Sequence, residues 1–352
     1  MITVQFKILP IAEQEKHLKA AAYEYIRCIN ALVSRINESS EMLKLSSANV
    51  QAVLPSTVRG ETIRTAKSII VKYMRGKCGP LPVIKKPMIT WNNQSYKLSG
   101  GTLSFSLWID GKCQRISVAA VITDYQRERL TNKLGALRVT QRNGKWIAQI
   151  AVEPVIAKPT GNGVMGVDIG LKNPAVAVTD TGKTAFFGNG HQNKYMKRQF
   201  RSKRTALGKA KKPEVIKKLN NKEQRWMKDQ DHKVSRQVVN FAKDNGVSVI
   251  RLEQLQNIRS TARKSRKNEK NLHTWSFYRL AQFIAYKAAM LGIKVIFVNP
   301  AYTSQSCPKC GNRNHAKDRS YTCGCGFRSH RDKVGAMNII NAPVVSGNRK
   351  PA

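Results

Sequence analysis

The chain has 352 residues, with 62 Lys and Arg against 21 Asp and Glu, a formal net charge of +41. That excess goes far beyond what solubility needs and points to a phosphate backbone as partner, because neutralising phosphates releases condensed counterions. A hydrophobic fraction of 41% argues against a short, low-complexity basic protein and allows a real core, and the length suggests two or three domains.

The opening MITVQFKILP lacks the apolar stretch of a secretory signal, and no later run approaches the ~20 apolar residues of a spanning helix. Residues Ile2, Val4, Phe6 and Ile8 alternate and predict a first strand. From Ala12 to Arg75 the period becomes helical through Leu18, Ala21, Tyr25, Cys28, Leu32 and Ile36. Pro55 punctuates this stretch, and a new helix is expected near Thr57.

Between Pro80 and Pro154 the period switches to two. Leu103, Phe105, Leu107 and Ile109 lead into Asp110-Gly111, and Val139 and Gln141 lead into Asn143-Gly144 before Trp146, Ala148, Ile150 and Val152. Both dipeptides tolerate the positive φ of tight hairpin turns. The expectation is an antiparallel β-barrel or curved sheet with helices inserted after its first strand. Trp91, Trp108, Trp146 and Tyr96 fall in this region and are read mainly as core packing.

After a linker at 159–162 come strands at Val164–Ile169, Ala175–Thr179 and Thr184–Phe187. A basic helical region from Gln192 to Asn245 is broken at Pro213, and a strand at Val247–Leu252 follows. A basic loop from Arg259 to Lys270 is read as a mobile flap near Glu253. Then come a helix from Phe277 to Leu291, a strand at Val295–Val298 and a last helix from Lys333 to Asn341. Three hairpin strands followed by alternating helices and strands is the order of an RNase H-like fold. Lys194 to Lys233 carries 15 Lys and Arg against 4 acids, a surface suited to a nucleic-acid duplex or strand.

Three acids stand out in this basic field. Asp168 closes an apolar strand in GVMGVDIGLKN, Glu253 closes another in VSVIRLEQL, and Asp332 begins a helix in SHRDKVGAMNII. Singly, each also suits a strand-end or helix-cap role, although a charge ending a Val-Ile-Leu run wants a partner. Together they suggest a cation site. Hard oxygen ligands hold magnesium, and two such ions can stabilise both oxygens of an in-line displacement at phosphorus.

Of seven cysteines, Cys307, Cys310, Cys323 and Cys325 cluster in pairs followed by glycines, which suits a zinc ribbon in a reducing compartment better than a disulfide framework. The second pair is Cys-x-Cys where Cys-x-x-Cys is usual, so His315 and His330 stay open as ligands. A closed four-ligand site would be structural and would hold the loop that carries Asp332. Cys28, Cys78 and Cys113 are read as buried small residues.

GVDIG, the LEQL segment and CPKCG…CGCG…HRDKVGAMNI together resemble the split RuvC nuclease and zinc ribbon of TnpB proteins, the transposon-encoded RNA-guided endonucleases related to miniature type V CRISPR effectors. The resemblance is specific from Val164 to Asn341 and extends more weakly to FKILPIAEQEKHL. It implies a multidomain α+β and α/β chain. Residues 1–10 and 80–158 would form a β-barrel wedge domain and 11–79 a helical recognition domain. Residues 159–301 and 327–343 would form a RuvC-like nuclease domain with a zinc ribbon at 302–326, and 344–352 a disordered tail. Asp168, Glu253 and Asp332 would hold two magnesium ions and the four cysteines one zinc. Arg331 would contact substrate phosphate, and His330 stands where the family usually has an acid.

The implied activity is RNA-guided, metal-dependent cutting of double-stranded DNA beside a short flanking motif. One protein would bind one guide RNA from the element's end, in a prokaryotic cytoplasm near the nucleoid. Two other readings compete: an RNA-guided repressor with weak or no nuclease activity, and a protein-guided RuvC-like resolvase or recombinase. The intact acidic trio argues against the first, and the ribbon and separate β domain against the second.

Overall fold

The structure, a computed structural model, describes residues 1–39, 44–76, 79–159, 161–255, 275–316 and 318–345. The chain divides into two compact units, Met1–Val155 and Ile156–Ala352.

In the first unit, β1 (Ile2–Leu9), β2 (Met88–Trp91), β3 (Tyr96–Ser99), β4 (Thr102–Ile109), β5 (Lys112–Val121), β6 (Leu134–Arg142) and β7 (Lys145–Val152) form one antiparallel sheet in the order β2-β6-β7-β1-β5-β4-β3. The hairpins turn at the expected dipeptides, with φ of 48° and 75° at Asp110 and Gly111 and of 50° and 73° at Asn143 and Gly144. Two consecutive left-handed residues match the right-handed twist of the flanking strands. β1 joins the two meanders, pairing with β7 on one side and β5 on the other.

Of the two forms expected, the sheet takes the curved one and does not close into a barrel. Among the described residues no ladder joins β2 to β3. Side chains reach across instead: Trp91 Nε1 donates to Ser106 O at 2.9 Å and Tyr96 Oη to Gly135 O at 2.7 Å. Helices α1 (Ala12–Ser39) and α2 (Ser56–Gly76) share one core with the sheet, Tyr25, Ile29, Val58 and Ile70 meeting Phe6, Trp91 and Phe105. A short α3 (Asp124–Leu130), not anticipated from periodicity, is set by a capping box between Thr123 and Gln126. Trp91, Trp146 and Tyr96 are buried and Trp108 half-buried. Cys28 is buried as expected; Cys113 is exposed on β5, because its side chain points to the sheet's outer face, and Cys78 lies outside the described residues.

The second unit is built on β8 (Gly163–Asp168), β9 (Ala175–Thr179), β10 (Thr184–Phe187), β11 (Val247–Glu253) and β12 (Lys294–Val298), ordered β10-β9-β8-β11-β12. β9 pairs antiparallel with both β8 and β10, and β8, β11 and β12 run parallel. Two basic helices, α4 (Gly190–Lys209) and α5 (Pro213–Asp244), are separated where Pro213 starts the second, since proline suits a helix's first turn but not its interior. Along α4 only Gly190 is buried.

On one sheet face, Val234, Val238 and Ala242 of α5 join Leu280, Ile284 and Ala288 of α6 (Phe277–Met290) over Met165, Val167, Ile250 and Leu252. On the other, Ala336, Met337 and Ile340 of α7 (Arg331–Asn341) cover Val176 and Val178. A short hairpin of β13 (Ser320–Thr322) and β14 (Arg328–His330) precedes α7. Beyond α7, Pro343 O accepts from Asn299 N at 3.0 Å and Val345 N donates to Phe297 O at 3.3 Å. The basic flap at 259–270 and the last residues of the expected tail, 346–352, lie outside the described residues. No described helix is long and apolar enough to cross a membrane.

Candidate active site and metal centre

Asp168 and Glu253 end neighbouring parallel strands. The last paired residues of β8 and β11 are Val167 and Leu252, so the two acids leave the same end of the sheet. Asp332 arrives on the first turn of α7, which lies against β8 because two glycines make room. A Cβ at Gly166 would run into the Ala336 carbonyl, and one at Gly335 would stand 3.1 Å from Asp168 Oδ2. His330 caps α7, its Nδ1 accepting from Asp332 N at 3.2 Å.

Neighbours fix each carboxylate. Asp332, 6% exposed, accepts from Asn173 Nδ2 at 2.8 Å on Oδ2 and from Arg319 Nη1 on Oδ1. Glu253 Oε1 accepts from Thr303 Oγ1. Asn338 of α7 donates to Thr303 O and Ser306 O at 2.7 Å, and Arg331 N donates to Arg319 O at 2.7 Å. The helix bearing Asp332 is thereby tied to the segment that orients Glu253.

The electrostatics follow from this crowding. Burial, then the charges of Glu253 and Asp332, hold the Asp168 carboxyl well above the usual carboxylate range, with Arg319 and Arg331 partly offsetting them. Burial also raises Glu253, against the Thr303 hydrogen bond. A buried Asp168 carboxyl facing the charges of Glu253 and Asp332, with two guanidiniums nearby, offers hard oxygen donors of the kind that hold a divalent cation.

The four cysteines come together as a second donor set. Their Sγ atoms all lie within 4.8 Å of one another, with Cys307 to Cys325 at 3.7 Å and Cys310 to Cys323 at 3.5 Å. Gly311 and Gly326 follow the pairs at φ of 77° and 83°, letting each turn fold back. The Cys325 backbone N–H, ahead of hydrogen bonds from the other thiols, draws the Cys323 thiol down to about 7, and Asn314 Nδ2 donates to its sulfur at 3.1 Å. Soft thiolates at this spacing suit a tetrahedral ion. The short Cys-x-Cys pair completes the cluster; His315 and His330 stand outside it.

The structure brings Asp168, Glu253 and Asp332 near one another with Arg331 beside them, and gathers Cys307, Cys310, Cys323 and Cys325 separately; the groups that hold the acids were not read from the sequence. Asn173 lies within the quoted GLKN stretch, so proximity to Asp168 could have flagged it. Thr303, Arg319 and Asn338 carry no local signal, since their contacts are made across the fold.

The second unit is thus an α/β unit whose mixed sheet carries acids at one strand end and whose chain also gathers a four-cysteine cluster. A family model described as "Probable transposase", OrfB_IS605, matches residues 148–259, and "Cas12f1-like, TNB domain" matches residues 277–339. The chain is similar to TnpB-like and Cas12f1 proteins. It is 29% identical to the CRISPR-associated endodeoxyribonuclease Cas12f1 of Sulfoacidibacillus thermotolerans over 56% of this chain and 50% of that protein. It is 28% identical to a TnpB-like protein of Methanocaldococcus jannaschii over 64% of this chain and 86% of that one. The chain thus spans only about half of the Cas12f1 relative. In structure it is similar to Cas12f1 in a complex with sgRNA and target DNA, with a TM-score of 0.67 at 17% identity, covering 95% of this chain and 83% of that one.

Proposed function

We propose that the chain is an RNA-guided DNA endonuclease of a mobile element, cutting target DNA beside a short flanking motif. The observation that carries this reading is the convergence of Asp168, Glu253 and Asp332 at one end of a mixed sheet in a strongly basic chain. The strand order β10-β9-β8-β11-β12, with three antiparallel strands continued by parallel ones, supports a RuvC-like nuclease at 159–301 and 327–343 and a zinc ribbon at 302–326. Residues 1–10 and 80–158 would act as the wedge and 11–79 as the recognition domain that reads the flanking motif, while base pairing reads the rest.

The three carboxylates would hold two magnesium ions, and Cys307, Cys310, Cys323 and Cys325 one zinc. Bound magnesium would supply an activated water and stabilisation of the leaving oxygen in phosphodiester hydrolysis. The chain's own residues do the positioning. Asn173 and Arg319 aim Asp332, Thr303 aims Glu253, and the Arg331 guanidinium would meet substrate phosphate. The cations of α4 and α5 would track the guide–target duplex, one protein to one guide RNA, in the nucleoid region of a prokaryotic cytoplasm. Asp168→Ala is expected to abolish cleavage while RNA and target binding persist, and undiminished cutting by that variant would sink the site assignment. Sequencing the RNA that copurifies tests guidance: a defined species of one discrete length supports it, and none favours a protein-guided nuclease.

A further inference from the structure

A cavity of about 280 Å³ opens beside the acidic site. It is far larger than the ~30 Å³ share of a water, yet at the low edge of the ~300–1,000 Å³ of small-molecule sites. Its wall is the β8–β9 loop, the same segment whose Asn173 holds Asp332, and Arg319 lines it while also touching Asp332. The cavity and the acids therefore share two walls.

The lining is divided by chemistry. Leu171, Pro174, Met227 and Trp275 give apolar sides, Lys172 and Lys194 bring positive charge to an exposed rim, and half-buried Lys197, within electrostatic reach of Asp231, also lines the cavity. Asp231 also lines it, 5% exposed, with Arg279 Nε at 2.6 Å from Oδ2 and Ser276 Oγ at 3.2 Å from Oδ1. Each carboxylate oxygen accepts one bond there and retains a further lone pair. A cation rim, flat apolar sides and a buried acceptor suit one kind of occupant, a nucleobase whose flanking phosphates stay outside.

We propose that this cavity receives one unstacked base of the DNA strand whose phosphate lies at the acidic site, and that Asp231 selects a base bearing an exocyclic amine over thymine. The inference rests on the nuclease reading above and adds a position-specific preference to it. Adenine, cytosine and guanine each carry an exocyclic amino group that can donate to Asp231, whereas thymine has only its N3–H, flanked by two carbonyls that would confront the carboxylate charge. Lys172 and Lys194 would hold the phosphates on either side of the flipped base.

The test uses the full chain with its copurifying RNA, magnesium replaced by calcium, and short oligothymidylates in which a single cytosine is moved along the strand. One cytosine position is expected to tighten binding about tenfold, the scale of one buried base contact. Met227→Trp, which fills the cavity, should bring that oligonucleotide down to the variant's own thymidylate level. Leu171→Trp at the exposed mouth should do the same without touching the core, so misfolding cannot account for both. Equal affinity at every position, or a preference that survives both variants, overturns the base site while leaving the nuclease reading intact. No binding of any oligonucleotide also overturns the base site, and the Asp168→Ala cleavage assay separately judges the nuclease reading.

Discussion

Gly335 of α7 faces the Asp168 carboxylate so closely that a Cβ there would lie 3.1 Å from Oδ2. The helix that brings Asp332 into the site is thus seated against the very group it must join. Gly335→Ala is expected to push that carboxylate by a few tenths of an ångström and slow cleavage about tenfold, since small misplacements of catalytic groups are costly. Gly335→Val should abolish cutting. Melting temperature measured beside the rate separates the two effects, and a rate loss explained wholly by unfolding would refute the close seating.

Asp168 and Glu253 are both raised above their ordinary values. A carboxyl with a higher pKa folded than unfolded holds its proton more tightly in the fold. It therefore costs stability above its folded pKa, and that cost vanishes below the unfolded value of about 4. These two groups should make the metal-free protein more stable as pH falls from neutrality through their raised pKa values. Magnesium competes with the same protons, so the rise in melting temperature it causes should be larger at about pH 8 than at about pH 5.5. Asp168→Asn should flatten that difference in a calorimetric scan.

Cys325 belongs to the unusual Cys-x-Cys pair, yet its Sγ lies 3.7 Å from that of Cys307. Cys325→Ser is expected to lower zinc affinity at least tenfold and to destabilise the segment leading into α7, because metal binding is folding free energy in such small sites. His315→Ala should retain one zinc per chain by elemental analysis. Zinc content that follows His315 instead would reassign the ligand set.

Lys287 is 3% exposed, and its Nζ donates to His232 O and Ser235 Oγ at 2.6 Å with no carboxylate pairing it among the described residues. Burial pushes its pKa down to about 8. An ammonium depressed in the fold costs stability below about pH 8, and the cost disappears above its unfolded pKa of about 10.4. Lys287→Met, similar in length and uncharged, should stabilise the protein at neutral pH by about 1 kcal/mol. Urea unfolding at pH 7 checks it, and a loss of stability would mean the two hydrogen bonds outweigh the desolvation.

Much of the architecture was legible in the sequence because local chemistry encodes it. Asp-Gly and Asn-Gly fixed two hairpins, Pro213 divided the basic helices, and the apolar runs before Asp168 and Glu253 marked strands. The edge strands β2 and β3 were not legible, being four residues each and too short for a period to emerge. α3 escaped for the same reason, its capping box outweighing a weak apolar pattern. The sequence left barrel and curved sheet open because closure depends on how far the edges approach, which no strand records; the structure takes the curved form. Cys113 was misplaced inside because a lone cysteine does not reveal its face of a strand.

By itself the sequence determined which groups could do chemistry: three carboxylates at element ends, two cysteine pairs before tight turns, and a large basic excess. Those depend on residue type and short-range spacing. The tertiary structure alone decided how the groups are held. Arg319 and Asn173 reach Asp332 from 13 and 159 positions away, and Thr303 reaches Glu253 from 50. Gly166 and Gly335 matter only because α7 crosses β8 within contact distance. Such contacts arise from packing distant segments into one core, where sequence separation no longer measures proximity.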